Sequence, residues 1–166
     1  MNKWLLPILF ICCVFAGCTK STGDLERYKA QAAIDDKIIA NYIIAHNLTG
    51  KALKTSDTSG VYYQIIQKGE GSDLYTLSTQ VTVGDTGRLL SNGNVFYQTN
   101  DFHPSYTLQQ TILGWQLGIP KVNKGGIVRL LIPSRYAYGQ FPQPQIGLDS
   151  ANAILDFTIQ VYNITN

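Results

Sequence analysis

"ILGWQLGIPKVNKGGIVRLLIPSRYAYG", residues 112–139, is the stretch whose reading decides the fold. Its first part reads as a short helix stopped by Pro120. After two glycines the pattern changes to period two, and "GGIVRLLIP" places Val128, Leu130 and Ile132 on one face of a strand. Trp115 is the only tryptophan outside the N-terminal leader. A lone tryptophan in a small domain is usually a core plug. A short helix laid against a strand allows a second reading, in which Trp115 floors a pocket whose upper face is open.

The same alternation extends on both sides of this stretch. "GVYYQIIQKGEG" from Gly60 is a strand ending in a glycine turn. "QVTVGDTGRLL" puts Val81, Val83, Asp85 and Leu89 on one face, "SNGN" carries the Asn-Gly hairpin signal, and "VFYQ" returns. "SYTL" is a short strand, and "AILDFTIQVYNI" closes the chain with Leu155, Phe157, Ile159 and Val161 aligned. These elements predict an α+β fold, a twisted antiparallel sheet wrapped around one short helix, with a further helix at the N-terminus.

Composition narrows the class. The chain has 166 residues, enough for one domain, and 13 basic residues stand against 11 acidic ones without clustering. No nucleic-acid partner is expected. Fifteen glycines, ten tyrosines and one methionine fit a β-rich domain better than a helical bundle.

The N-terminus is a leader. "MNKWLLPILFICCVFAGC" has a basic start, an apolar run and then small residues, the architecture of an export signal. Phe15-Ala16-Gly17-Cys18 resembles a bacterial lipobox, with Phe15 in place of the usual leucine. This reading makes 1–17 a lipoprotein signal peptide and 18–23 a lipidated Cys18 with a polar tether. Cleavage as an ordinary secreted protein is the alternative. Cys12 and Cys13 fall in the leader, which leaves Cys18 as the sole cysteine beyond it and no internal disulfide. The five residues "TKSTG" span at most roughly 17 Å at about 3.4 Å each, which keeps the folded part near a bilayer. Thr19 after the cysteine, rather than an inner-membrane-retaining aspartate, predicts anchoring in the outer membrane of a bacterial envelope. The membrane partner is then reached through lipid on Cys18, and a monomer is expected.

Residues 24–59 are expected to be a helix and a polar connector. "DLERYKAQAAIDDKIIANYIIAHN" has Asp24 as its cap and Gly50 as its left-handed stop. Leu25, Tyr28, Ala32, Ile39, Tyr42 and Ile43 recur at helical spacing, and Asp35 and Asp36 are expected to keep the helix soluble. Such a stripe packs on its own domain or pairs with a partner helix.

Much chemistry is absent. His46 lies at a helix C-terminus and His103 in a loop, and neither has metal-ligand spacing. There is no thiol beyond Cys18, no Gly-x-Ser-x-Gly elbow and no phosphate-cradling loop. No metal or cofactor is expected. What remains is binding, or a reaction that needs only a shaped, dry pocket.

Three stretches in order resemble the FKBP-type peptidyl-prolyl isomerases. "LLSNGNVFYQT" is similar to the family's hairpin, residues 112–139 to its Ile-x-Gly-Trp and Ile-Pro-x-x-Tyr-Ala-Tyr-Gly run, and "NAILDFTIQVYNI" to its closing strand. The resemblance covers residues 60–163, and the helix before Gly60 is similar to lipoprotein members from Bacteroidetes-type bacteria. It implies a five- or six-stranded sheet around a short helix. It also implies an aromatic pocket with Trp115 as floor, Phe96, Ile112, Tyr138 and Phe157 as walls, and Leu148 on an overhanging loop. The expected substrates are proline-containing segments of exported proteins, isomerised without acid, base or cofactor. Rotation of a planar amide costs about 18–20 kcal/mol, and an apolar pocket favours the less dipolar twisted form.

Two wall positions depart from the pattern. Asp85 stands where the family has tyrosine, and Tyr97 where it has aspartate. An exchanged pair is expected, with the Tyr97 hydroxyl donating to Asp85; the alternative is that Asp85 turns to solvent and the pocket is dead. At the rim Pro104 replaces an aromatic while Tyr106 is kept. The loop with Phe141, Pro142 and Pro144 either grips substrate or folds back into the pocket. Three functions follow: a lipid-anchored isomerase that helps exported proteins fold, an FKBP-like binding module without turnover, and an envelope adaptor working through its N-terminal helix.

Overall fold

The alternation in "QVTVGDTGRL" becomes the spine of the sheet. The computed structural model describes residues 20–166. In chain order the elements are α1 (Lys20–Ala45), β1 (Leu53–Lys54), β2 (Tyr62–Gln67), β3 (Gln80–Leu89), β4 (Val95–Gln98), β5 (Ser105–Thr107), α2 (Leu113–Gly118), β6 (Ile127–Ile132) and β7 (Leu155–Thr165). All pairings are antiparallel, in the order β1-β2-β6-β7-β3-β4, with β5 also on β3. There are seven strands rather than five or six. The added one is β1, inside the stretch expected to be a polar connector, where Leu53 and Lys54 pair with Tyr63 and Tyr62.

The inner face of the sheet carries the main core: Val81 and Val83 from β3, Val128, Leu130 and Ile132 from β6, Leu155, Phe157 and Ile159 from β7. Helix α2 lies against this face because two of its residues have no side chain. A Cβ on Gly114 would stand 2.5 Å from Cγ2 of Ile132, and one on Gly118 would run into Leu130. The α-helix ends at Gly118, and Pro120 sits in the 3₁₀ turn Ile119–Lys121 that follows.

The outer face is covered by α1. Ile39 and Ile43 pack with Leu48, Leu90, Leu131 and Ile154 in a second cluster. Beside it Arg129 makes a bidentate pair with Asp156 at 2.9 and 2.7 Å and reaches the Tyr42 hydroxyl at 2.8 Å. Helix α1 therefore packs on the sheet of its own chain, the first of the two expected alternatives.

Four expectations about α1 are corrected. It is already helical at Lys20, so Asp24 does not cap it and the described part of the tether, 20–23, is helix. The expected leader and Cys18 lie outside the described residues. It stops at Asn47 (φ 55°), not Gly50. The Leu48 amide donates to the Ile43 carbonyl at 2.9 Å and the Asn47 amide to Ile44 at 3.2 Å, a Schellman closure that folds Leu48 onto the second cluster. Leu25 and Tyr28 are about half exposed, at 49% and 54%, whereas Ile39 and Ile43 of the same stripe are buried. Asp35, expected to face solvent, is fully buried. Its Oδ2 accepts the Ser134 amide at 2.9 Å and the Ser134 hydroxyl at 2.6 Å, and its Oδ1 accepts Gln31 at 2.8 Å.

Asp35→Ala leaves the Ser134 amide buried and unpaired. It is expected to lower stability by about 2–4 kcal/mol in urea unfolding followed by Trp115 fluorescence. Asp36→Ala should cost under about 1 kcal/mol, because that carboxylate is half exposed and its only ion pair is with Arg135. Equal effects would show that the buried latch does not hold α1.

Candidate functional site

Four rings from four elements meet edge to face on the inner side of the sheet. Phe157 of β7 lies 5.2 Å from Trp115 of α2 at 87°, and 5.6 Å from Phe96 of β4 at 88°. Tyr106 of β5 lies 5.9 Å from Trp115 at 79°. These geometries direct positive ring edges at negative faces. Gly87 of β3 makes the approach possible, since a Cβ there would be 2.6 Å from Phe96 and 2.7 Å from Phe157.

The rings bound an open cavity of about 290 Å³. Trp115, Phe96, Ile112, Tyr138 and Phe157, the residues expected to form the pocket, all line it, with Asp85, Tyr97 and Tyr106 as further wall. Trp115 is only 6% exposed, so it is a core residue that also presents one surface to the cavity. Leu148 does not line it. At 1% exposed it is buried in the core, and Ile146 takes the overhanging position instead. The Gln143–Leu148 bridge and the left-handed Gly147 (φ 78°) turn the loop so that Leu148 points down. Gln110 and Thr111 also line the cavity, and sequence reasoning missed them. Their position just before Ile112 was the available signal. Phe141 is 65% exposed and does not enter, so the loop after Tyr138 leaves the pocket open.

Both expectations for Asp85 fail. It does not face solvent, being 4% exposed, and its carboxylate accepts no hydrogen bond among the described residues. The Tyr97 hydroxyl meets that of Tyr106 instead, at 3.4 Å. Register is consistent with this: Tyr97 pairs across the strands with Gly87, while the backbone of Asp85 is bonded to Thr99. Burial without a partner pushes the Asp85 carboxyl up to about 6. Burial likewise raises the Tyr138 and Tyr106 hydroxyls, with the Asp85 charge adding to both, so each remains a protonated donor at neutral pH. The Trp115 indole N–H is also buried without a partner among the described residues. The site thus combines aromatic walls with unused hydrogen-bonding groups. Among the described residues no group of three His, Cys, Asp or Glu side chains converges as a metal site.

Residues 73–162 match the family described as FKBP-type peptidyl-prolyl cis-trans isomerase. The chain is 37% identical over 115 residues to the FKBP-type peptidyl-prolyl cis-trans isomerase FkpA of Buchnera aphidicola; that match covers 68% of this chain but 43% of the relative. It is 35% identical over 105 residues to FK506-binding protein 1 of Debaryomyces hansenii, covering 61% of this chain and 91% of the relative. The crystal structure of FkpA from Escherichia coli superposes with a TM-score of 0.65 and 28% identity over 88% of this chain and 66% of that one. The chain therefore spans less than half of its Buchnera relative and nearly all of the yeast one. The family match runs over more than half of the 166 residues, on a sheet that a solved relative shares: the chain belongs to the FKBP-type peptidyl-prolyl cis-trans isomerases.

Proposed function

We propose that this protein isomerises X-Pro bonds in exported polypeptides while held at the bacterial envelope by lipid on Cys18. The observation that carries the catalytic reading is the open aromatic cavity over Trp115. A prolyl ring seated there lies among Phe96, Phe157 and Trp115, and its amide leaves water. The planar amide is more dipolar than the twisted one, so an apolar surround favours the twisted form. Tyr138 donates to the substrate carbonyl and holds one side of the amide as the other turns. A million-fold acceleration requires about 8 kcal/mol of such preference. The lipid anchor and the export role rest on the Phe15-Ala16-Gly17-Cys18 motif.

Asp85 favours a second reading. Ionised, it places an unpaired charge in the wall and draws water toward the amide, which suits a binding module better than a catalyst. The charge also has a stability signature. The folded state holds its proton up to about pH 6, whereas the unfolded chain releases it near pH 4. Stability from this group is therefore lost as pH rises from about 4 to 6 and stays low above that. Asp85→Asn should be more stable than the wild type at pH 7.5 by about 1–3 kcal/mol, with the gap closing below about pH 4. A gap that does not depend on pH would mean the carboxyl is already paired.

Activity is tested by refolding of a proline-limited protein. The wild type should accelerate it. Tyr138→Phe should lose about tenfold in kcat/KM, one hydrogen bond's worth, and Phe157→Leu more, since a wall ring is removed while the core stays apolar. A folded wild type without acceleration leaves the binding module. For the anchor, mass spectrometry should find Cys18 carrying a diacylglycerol, absent in Cys18→Ser; an unmodified Cys18 in the mature chain would rule lipidation out.

A further inference from the structure

A second, larger concavity adjoins the pocket. It measures about 720 Å³ and lies between the N-terminal half of α1 and the loop after Tyr138. Tyr138 lines both cavities. The helix side is formed by Arg27, Tyr28 and Ala32, the loop side by Ala137 and Phe141. Tyr28 and Phe141 are 54% and 65% exposed, while the small Ala32 and Ala137 leave space between them. The amide side chains of Gln140 and Asn152 stand along the same groove.

The two walls are clamped where they meet. Asp35 holds Ser134 through two hydrogen bonds. The next residue, Arg135, donates to Asp36 at 2.7 Å, to the Ala32 carbonyl at 3.3 Å and to the Ser59 carbonyl at 3.0 Å. The groove is thus fixed before anything binds, which lowers the ordering cost of an occupant.

We infer that this groove is an extended-substrate subsite that takes the polypeptide flanking the isomerised proline and favours a segment with an aromatic or long apolar residue. The inference rests on the isomerase reading, because the occupant is the chain that leaves the pocket past Tyr138. A proline seated over Trp115 has to send its chain out of the cavity on both sides, and a chain that leaves past Tyr138 meets the groove that Tyr138 also lines. Aromatic surfaces suit an apolar side chain. The amides of Gln140 and Asn152 offer donors and acceptors to an extended backbone whose N–H and C=O groups are otherwise unpaired. Helix α1 then has a function that the family-matched residues, 73–162, cannot supply.

The test compares substrate lengths. The full protein, wild type and the Arg27→Ser, Tyr28→Ser double variant, is assayed on a proline tetrapeptide and on an unfolded, proline-limited protein. Ile44→Ser is the control, since Ile44 is exposed on the same helix and does not line the groove. The double variant should keep its tetrapeptide kcat/KM and lose roughly five- to tenfold on the protein substrate, mainly in KM, as expected when an exposed aromatic contact is truncated. The control should change neither. Equal rates on the protein substrate, or parallel losses on both substrates, would overturn the subsite. So would a dimer seen in sedimentation that the double variant abolishes without altering the length dependence, since the occupant would then be a second copy of the chain. A wild type inactive even on the tetrapeptide refutes the isomerase reading, and the subsite with it.

Discussion

The constraint on which the rest depends is the pairing of β3 with β7 along its whole length. Each residue from Gln80 to Leu89 has a partner between Thr165 and Leu155, with one irregularity at Thr82–Val83. The other edge of β3 is divided. Its first three residues pair with β5, and Thr86–Arg88 pair with β4. In the gap, the Val83 amide reaches the Pro104 carbonyl at 3.0 Å, and the Asp85 amide reaches the Thr99 hydroxyl at 2.7 Å. The cavity opens where one neighbour of β3 hands over to the next, and the inward side chain at that point is Asp85. Two residues on, Gly87 admits the rings of Phe96 and Phe157. Topology thus sets a polar wall beside an aromatic one.

The two walls are comparable in energy. Three edge-to-face contacts contribute about 0.5–1.5 kcal/mol each beyond the area they bury. An ionised carboxylate whose proton affinity is raised by about two units costs about 3 kcal/mol against its unfolded reference. The ring cluster offsets most of that cost, and the packing of α2 through Gly114 and Gly118 keeps the cluster together. A pocket with a strained wall persists because its floor belongs to the core.

Periodicity in the sequence was enough to locate β3, β6 and β7, because each buries a face whose spacing is visible locally, while the Asn-Gly turn signal placed β4. The residues lining the cavity were legible through resemblance, with Trp115 the only one that composition also marked. The contacts of Asp35 were not legible. Its partner Ser134 is 99 positions away, and an aspartate on a helix looks the same whether it meets water or a buried amide. The Asp85–Tyr97 expectation failed for a related reason: Tyr97 stands opposite Gly87 and its hydroxyl meets Tyr106 on another strand, a contact that no local spacing shows. The helix stripe foreshadowed an outer core, but its strand side went unread: Val128, Leu130 and Ile132 satisfied one face of β6, while Leu131 between them was the sign of a second.

That two-sided burial makes β6 an unusual strand to assemble. Hydrophobic patterning normally selects strand register, because a slip of one residue turns the apolar set outward. In "IVRLLI" a slip would set apolar residues on both faces again at most positions. Arg129 breaks the degeneracy: in the native pairing it lies on the outer face against Asp156 and Tyr42, and one residue's slip would drive its guanidinium into the core beneath α2. A single cation therefore discriminates correct from shifted assembly of the central strands, a proofreading role that is spent once the sheet has formed.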